Sequence, residues 1–587
     1  MQKFSKELLL ELKEVALGER PPNLLIKKGT FINLLTEEFL PETDIAIYKD
    51  RIAFVGQWKG KSSKETEIID AKGLFLIPGF IDPHCHLDFV FRISEYSRFV
   101  VPKGTTTVIT ETAMLANAGG HEAVSEFIQE AKKVPLRVYV LCPSVIPPFP
   151  KFETSAGFSF EDFRKFISLP FCLGLGETYW SRVVMDNDED MLQRFAETLN
   201  LGKRLEGHTA GVRNEKLQAY TALGISSCHE ATSEGEAFNL LRLGHAVMIR
   251  QGYIRKELPK IASLKHKLKD MRNLMLCTDL LDPETLIEKG SIDWALREAI
   301  REGFGIFEAI KMVTLNAAQY FGLKDLGFLG PGKLADIIVV EDLEEIRVKL
   351  VILNGKLVAE NGKLLSLPLP FGYSQKAYES FKVKNVVPSL FHMPFNGKKA
   401  KVRTIQVVND TITAEALVEI RNKSGNLPAD PEKDLLKIAQ IFKGSETPIF
   451  SVGFLKGTGL KAGALASSIT WDANNIFVMG TNEEDMSFAV NALLEHKGGM
   501  FLVKDGKLLA SLPLPIWGII SPLKMEELKE KIQQLDHTAQ SLGMKWRAFV
   551  LLQTLPFTGL PSLRLTEKGL LDVKKQEFVP LIVDKFK

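Results

Sequence analysis

Short apolar runs with period-two alternation open the chain, in Leu24-Leu-Ile-Lys-Lys-Gly-Thr-Phe-Ile-Asn33 and again in Asp44-Ile-Ala-Ile-Tyr-Lys-Asp-Arg-Ile-Ala-Phe-Val-Gly56. Alternation broken by Gly and Asp predicts an antiparallel sheet between about Leu24 and Ile69. The same texture returns at Ala335-Asp-Ile-Ile-Val-Val340 and Val348-Lys-Leu-Val-Ile-Leu-Asn-Gly-Lys-Leu-Val358, so the two stretches are expected to form one small, discontinuous β-sandwich domain. Between them, from Leu76 to Gly330, short apolar strands alternate with helical patterns. Candidate strands are Thr107–Thr110, Val138–Cys142, Cys172–Gly176 and Ala246–Arg250. Alternating βα units argue for a parallel sheet covered by helices, and the length is close to the roughly 250 residues of a (β/α)8 TIM-like barrel. A doubly wound open sheet has the same periodicity and stays open.

The boundaries that follow are 1–75 for an N-terminal helix and the first part of the small β domain, 76–330 for the barrel, 331–365 for the second part, and 366–400 for a Pro- and Lys-containing linker. Residues 401–587 are read as a C-terminal α+β domain, with helices expected at Pro431–Phe442 and Lys524–Leu542. The class is α/β. The N-terminal apolar run is interrupted by Glu7, Glu11 and Lys13, which suits a short amphipathic helix rather than a secretion signal.

Composition adds little and excludes some partners. Lys+Arg 74 against Asp+Glu 72 gives no electrostatic case for nucleic acid or a membrane surface. No apolar stretch approaches the roughly 20 residues that span a bilayer. The five cysteines, Cys85, Cys142, Cys172, Cys228 and Cys277, are odd in number and unpaired in spacing, which predicts a reduced, cytoplasmic protein.

The chemistry begins at Leu76-Ile-Pro-Gly-Phe-Ile-Asp-Pro-His-Cys-His-Leu-Asp88. His84 and His86, two apart on a strand, point to one side and can share a metal. They end an apolar strand, where a barrel keeps its catalytic groups. Further candidates follow in order at later strand ends: Glu177, His208, His229 with Glu230 beside it, and Asp279. Nitrogen and carboxylate donors without clustered cysteine suit Mn, Fe or Zn. Two divalent ions sharing a carboxylate would deliver hydroxide near neutral pH, and Asp279 would accept a proton and pass it to the leaving group. Tyr179 and Trp180 are candidates to stack on a planar substrate or simply to pack. Arg250 would meet substrate or pair with a carboxylate. The remaining histidines, His121, His245, His266, His392, His496 and His537, are read as surface or structural.

These segments resemble the amidohydrolase superfamily and, within it, the adenine deaminases. The resemblance runs through Val100-Val-Pro-Lys-Gly-Thr-Thr-Thr-Val-Ile109, Gly174-Leu-Gly-Glu177, Gly207-His208, Cys277-Thr-Asp279, Thr314-Leu-Asn-Ala-Ala318 and Pro331-Gly-Lys-Leu-Ala-Asp336. It continues at Gly463-Ala-Leu-Ala-Ser-Ser468, Gly480-Thr-Asn-Glu-Glu-Asp-Met486 and Leu509-Ala-Ser-Leu-Pro-Leu-Pro515, and this last third separates adenine deaminases from hydantoinases and dihydroorotases. It implies hydrolysis of adenine to hypoxanthine and ammonia, as in purine salvage, in a homo-oligomer. His84, His86, Glu177, His208, His229 and Asp279 would hold two ions, manganese among the candidates, with Asp279, Glu230 and His229 serving the reaction and Glu230 protonating a ring nitrogen. Four motifs depart from the family. Glu111-Thr-Ala-Met114 replaces Asp-Pro-His-Glu, and Cys228 replaces the Asp of Ser-Asp-His-Glu. Leu280-Leu281 replaces Asp-Arg, and Trp471-Asp-Ala-Asn-Asn475 replaces His-Asp-Ser-His-Asn. The inferred ligands survive all four, while polar groups expected near the substrate change. A different aminated heterocycle or cyclic amide, or a non-catalytic relative, is the competing reading.

Overall fold

The computed structural model describes residues 4–144 and 146–586. Eight strands form the centre: β1 (Phe80–His86), β2 (Thr105–Glu111), β3 (Arg137–Cys142), β4 (Cys172–Tyr179), β5 (Arg204–His208), β6 (Ser227–Cys228), β7 (Ala246–Arg250) and β8 (Leu274–Cys277). Strands β1 to β5 are hydrogen-bonded side by side, as are β6 to β8, all parallel. Two seams complete the ring. Ser226 N–H donates to the Leu205 carbonyl at 3.1 Å, and Cys85 bridges Asp279 in parallel, with His86 N–H donating to the Asp279 carbonyl at 2.8 Å. The arrangement is therefore a TIM-like barrel and not an open sheet.

Strand periodicity explains why these runs are apolar throughout. On β7, Val247 and Ile249 pack outward with the covering helices, whereas Ala246 and Met248 point into the lumen with Ile81, Ile109, Leu141, Met275 and Cys277. Both faces are dry, so both sets of alternate residues must be apolar. Polar residues appear where the strands end.

The two expected β stretches do join one hydrogen-bonded sheet, in the order 363–364, 356–360, 347–353, 337–342, 75–78, 24–33, 38–48, 51–56. The pairing is mixed, however. Leu24–Asn33 runs antiparallel to Glu38–Tyr48 but parallel to Glu67–Asp70 and Phe75–Pro78, because the chain leaves Arg51–Gly56 by a crossover rather than a hairpin and returns beside Leu24–Asn33 in the same direction. One face buries Ile337 and Val339 with Leu24, Ile26 and Ile45, and the other lays Ile338 and Val340 against the barrel helices. Leu8, Leu12 and Val15 of the N-terminal helix Lys6–Ala16 pack on Leu25, Ala46 and Ala53, as the amphipathic pattern predicts.

Residues 399–586 contribute a second nine-stranded sheet. One face, with Ala439, Ile441, Val478 and Phe501, is covered by helix Glu483–Glu495. The other, with Leu436, Ile438, Phe477 and Met479, is continuous with the core that holds Leu87, Phe89 and Met114 of the barrel. Helix Met525–Ser541 lies where a helix was expected. Pro431–Phe442 does not form one. A 3-10 turn at Pro431–Lys433 is followed by a strand, Leu435–Ile441, whose seven residues are all buried between two neighbouring strands. Its buried Lys437 gives the run a helix-like polar punctuation, and that ammonium pairs with Glu483 and donates to the Phe391 carbonyl. No helix among the described residues is long and apolar enough to cross a membrane.

Candidate metal centre and its cavity

Every expected donor lies at the C-terminal rim of the barrel. His84 and His86 end β1, Glu177 lies near the end of β4, His208 ends β5, His229 follows β6, and Asp279 lies two residues past β8 in a left-handed conformation (φ 57°). They converge on one carboxylate oxygen. Glu177 Oε1 is 3.3 Å from His84 Nε2, 3.5 Å from His86 Nε2 and 3.0 Å from His229 Nε2. Asp279 Oδ1 stands 3.7 Å and 3.6 Å from the first two nitrogens. Two overlapping donor sets result, His84/His86/Glu177/Asp279 and Glu177/His208/His229, each with its ligand atoms within 4.8 Å of one another. Glu177 belongs to both.

Two glycines make this convergence possible. A Cβ on Gly176 would lie 2.2 Å from Glu111 Oε2, and one on Gly207 would lie 2.6 Å from the Ser227 carbonyl. The Gly-Glu and Gly-His pairs of the sequence thus mark close approaches, of Gly176 to the Glu111 carboxylate from β2, two strands away, and of Gly207 to the adjoining β6.

Electrostatics follow from the crowding. Burial alone would lower the His84 imidazole, but the carboxylates of Asp279 and Glu177 outweigh it and hold it up to about 10. His229 goes the other way, to about 4, through burial and the facing charge of His84, whose ring stacks on it at 3.9 Å. Burial would raise Glu177, yet the three imidazoles hold it well below the ordinary carboxylate range. Asp279 is likewise lowered, against its burial, by His84 and Arg250.

Three carboxylates stand behind the histidines. Glu230 Oε2 is 2.9 Å from His208 Nδ1 and also accepts the Ala210 N–H. Asp88 Oδ1 is 3.7 Å from His86 Nδ1, and Glu111 Oε1 is 3.9 Å from His84 Nδ1. Glu230 at Nδ1 leaves the Nε2 of His208 for a metal, while Asp88 and Glu111 face the Nδ1 side of His86 and His84 beyond hydrogen-bond distance. Glu230, expected beside the substrate, is engaged by His208 and the Ala210 N–H while still lining the cavity. Asp88 and Glu111 were not expected among these groups; the place of Glu111 at the end of a Thr-rich apolar strand was the available signal. Arg250 pairs with Glu257 at 3.2 Å and Asp279 at 3.4 Å. Tyr179 packs its ring 4.8 Å from His208 and donates its hydroxyl to Asp472, while Trp180 turns away and donates Nε1–H to the Ala210 carbonyl.

A cavity opens over the donors, bounded by Met114, Arg250 and Leu280 from the barrel and by Trp471, Asp472 and Phe557 from the C-terminal region. Trp471 and Asp472 belong to the segment whose departure from the family motif was expected to alter groups near the substrate, and they do line the cavity; Phe557 carries no such signal, because nothing local announces which later loop docks on the barrel mouth.

A parallel barrel with histidines and carboxylates gathered at its strand ends is the architecture of an amidohydrolase, and residues 75–358 match the amidohydrolase family. Residues 410–577 match the adenine deaminase C-terminal domain. The chain is 37% identical to an adenine deaminase of Clostridium botulinum over 98% of each protein. It is 36% identical to that of Moorella thermoacetica, again over 98% of each, and 32% identical to that of Kosmotoga olearia over 98% of this chain and 99% of the relative. The chain belongs to the adenine deaminase family.

Proposed function

We propose that the protein hydrolyses adenine to hypoxanthine and ammonia with the help of two divalent ions. The observation that carries this reading is the sharing of Glu177 Oε1 between two donor sets in a chain whose relatives are named adenine deaminases along their whole length. The residues suit such ions. His84 Nε2 is buried without a hydrogen-bond partner and points at two carboxylates, an arrangement a cation resolves. His84, His86, Glu177, His208, His229 and Asp279 would hold the pair, with Mn, Fe or Zn compatible with the donors. When bound, the ions acidify water to hydroxide near neutral pH and polarise the substrate.

The chain's own groups do the rest. Glu177 stays ionised and draws three imidazole Nε2 atoms toward one point. Asp279, also ionised, offers Oδ1 to receive a proton and return it to the departing amine, while Arg250 steadies Oδ2. Glu230 fixes the His208 ring through Nδ1; a second role in protonating a ring nitrogen of the substrate is compatible with its place on the cavity wall. Trp471 and Phe557 line the cavity from the C-terminal region.

We read residues 1–75 with 331–365 as one small β-sandwich-like domain, 76–330 as the catalytic barrel, 366–400 as a linker and 401–587 as a C-terminal α+β domain. The location is read as cytoplasmic and the assembly as a homo-oligomer. Ammonia release and the absorbance change of adenine, followed on metal-loaded protein beside ring opening of hydantoin and dihydrouracil, test the function. Hypoxanthine and ammonia in equal amounts are expected. Ring opening with adenine untouched would move the protein to the cyclic amide hydrolases.

A further inference from the structure

Asp472 is a buried carboxylate that the mechanism above leaves unused. It sits in Thr470-Trp-Asp-Ala-Asn-Asn475, a loop in which both Asp472 (φ 64°) and Asn474 (φ 50°) adopt left-handed backbone. Asp and Asn enter this region more readily than other non-glycine residues, and it persists where surroundings over-determine it. Here it is over-determined from both sides. Asn474 Nδ2 donates to the Met114 carbonyl of the barrel at 2.9 Å, and Asn475 Nδ2 donates to the Thr154 carbonyl at 2.8 Å. Trp471 is held through N and Nε1 by Gln553, at 3.0 Å and 3.2 Å.

The loop delivers the Asp472 carboxylate to the cavity wall that also carries His86, Glu177 and Asp279. The other carboxylates of that wall are engaged: Glu177 with three imidazoles, Asp279 with two imidazoles and Arg250, Glu230 with His208 and Ala210. Among the described residues, the Asp472 carboxylate receives one hydrogen bond, from the Tyr179 hydroxyl to Oδ2. Around it stand aromatic rings. Phe557 lies edge-on to Trp471 at 5.6 Å and 6.4 Å from Tyr179. An aromatic wall with one aimed acceptor is built for a flat, neutral ring that carries an N–H.

We propose that Asp472 is the substrate-orienting residue of this enzyme, accepting the ring N–H of a neutral aminated heterocycle and thereby turning its amine-bearing carbon toward Glu177 and Asp279. The assignment rests on the hydrolytic reading above. A purine base has one such N–H, on its five-membered ring, and once the aromatic wall takes that donor out of water it must be paired or its desolvation is uncompensated. The contact also sets specificity, because a substituent on that nitrogen removes the donor and meets the Asp472 loop.

The test compares wild type with Asp472→Asn and Asp472→Gly, both tolerant of left-handed backbone, on adenine, 7-methyladenine and 9-methyladenine. For adenine, KM should rise roughly 10- to 100-fold in Asp472→Gly, the range for a hydrogen bond to a charged group, with Asp472→Asn between. Metal content should match wild type and kcat should fall far less than KM rises, the signature of lost binding. Wild type should process both methyladenines, neither of which keeps a ring N–H, no better than a tenth as efficiently as adenine, a discrimination that shrinks in Asp472→Gly. An unchanged KM at full metal content overturns the proposal, and so does wild type using either methyladenine as well as adenine, which needs no variant. If wild type releases no ammonia from adenine, the hydrolytic reading fails by itself. Calorimetric binding of hypoxanthine to wild type and Asp472→Asn then decides the role of Asp472, equal affinities overturning it.

Discussion

Replacing Gly176 by Ala should disable the metal centre through one atom. The new Cβ would lie 2.2 Å from Glu111 Oε2, 3.0 Å from Cδ and 3.1 Å from Oε1. Reaching ordinary contact near 3.5 Å requires a shift of about 1 Å or more. Neither side can yield cheaply, since Glu111 is 1% exposed and ends β2 between two paired strands. Overpacking of this kind costs roughly 1 to 3 kcal/mol. The displaced carboxyl group also gives up the Glu177 N–H, now bonded at 3.2 Å, worth roughly 0.5 to 1.5 kcal/mol because burial and the neighbouring Glu177 push Glu111 up to about 8 and keep it largely uncharged at neutral pH. The total expected loss is about 1.5 to 4.5 kcal/mol, part of it in folding and part in metal affinity because Glu177 moves. Denaturant unfolding of the metal-free chain and chelator competition on the loaded chain read the two parts. Glu111→Ala supplies the control: it removes the obstacle, so Gly176→Ala should cost less than about 1 kcal/mol in that background, a coupling well above additivity. Equal costs in the two backgrounds, or no cost in either, would refute the steric account.

Other expectations are simpler. Glu177→Gln removes the oxygen that three imidazoles face, so metal should be lost by more than the roughly 10- to 100-fold typical of outer-shell changes, and turnover with it; full activity in that variant would refute the bridge. Glu230→Gln should weaken metal binding by roughly 10- to 100-fold by freeing the His208 ring; a fall in kcat at unchanged metal affinity would place Glu230 on the substrate instead. Lys443, buried with its ammonium on the Trp517 carbonyl at 3.0 Å, is lowered by that burial to about 7. The unfolded chain binds this proton more tightly, so the residue costs stability below pH 7 and the cost is released as pH rises from about 7 toward the ordinary lysine value. Lys443→Met should therefore stabilise the protein clearly at pH 6 and little at pH 10, and a pH-independent difference in unfolding free energy would refute it.

Much of the site was legible because barrel chemistry is written at strand ends. His84, His86, Glu177, His208, His229 and Asp279 each terminate or closely follow an apolar run, so their order along the chain carries over into one ring of donors. The second layer was less legible for two different reasons. Glu111 obeys the same strand-end rule but was obscured by comparison with a family motif. Asp472 was marked only by that comparison and obeys no strand-end rule, since its place depends on how the C-terminal sheet lies against the barrel. The misread strand Leu435–Ile441 shows the same limit in the fold: a run buried on both faces loses the alternation that marks a half-buried strand, and Lys437 and Gln440 imitate a helix's polar stripe.

The central claim, a shared carboxylate holding two ions that serve the hydrolysis of adenine, is tested most directly by titrating metal-stripped protein with Mn2+ while measuring bound metal and hypoxanthine formed. Activity should climb with metal bound and level off at two ions per chain. Two ions bound with no hypoxanthine formed, or hypoxanthine formed by the stripped chain, would contradict it.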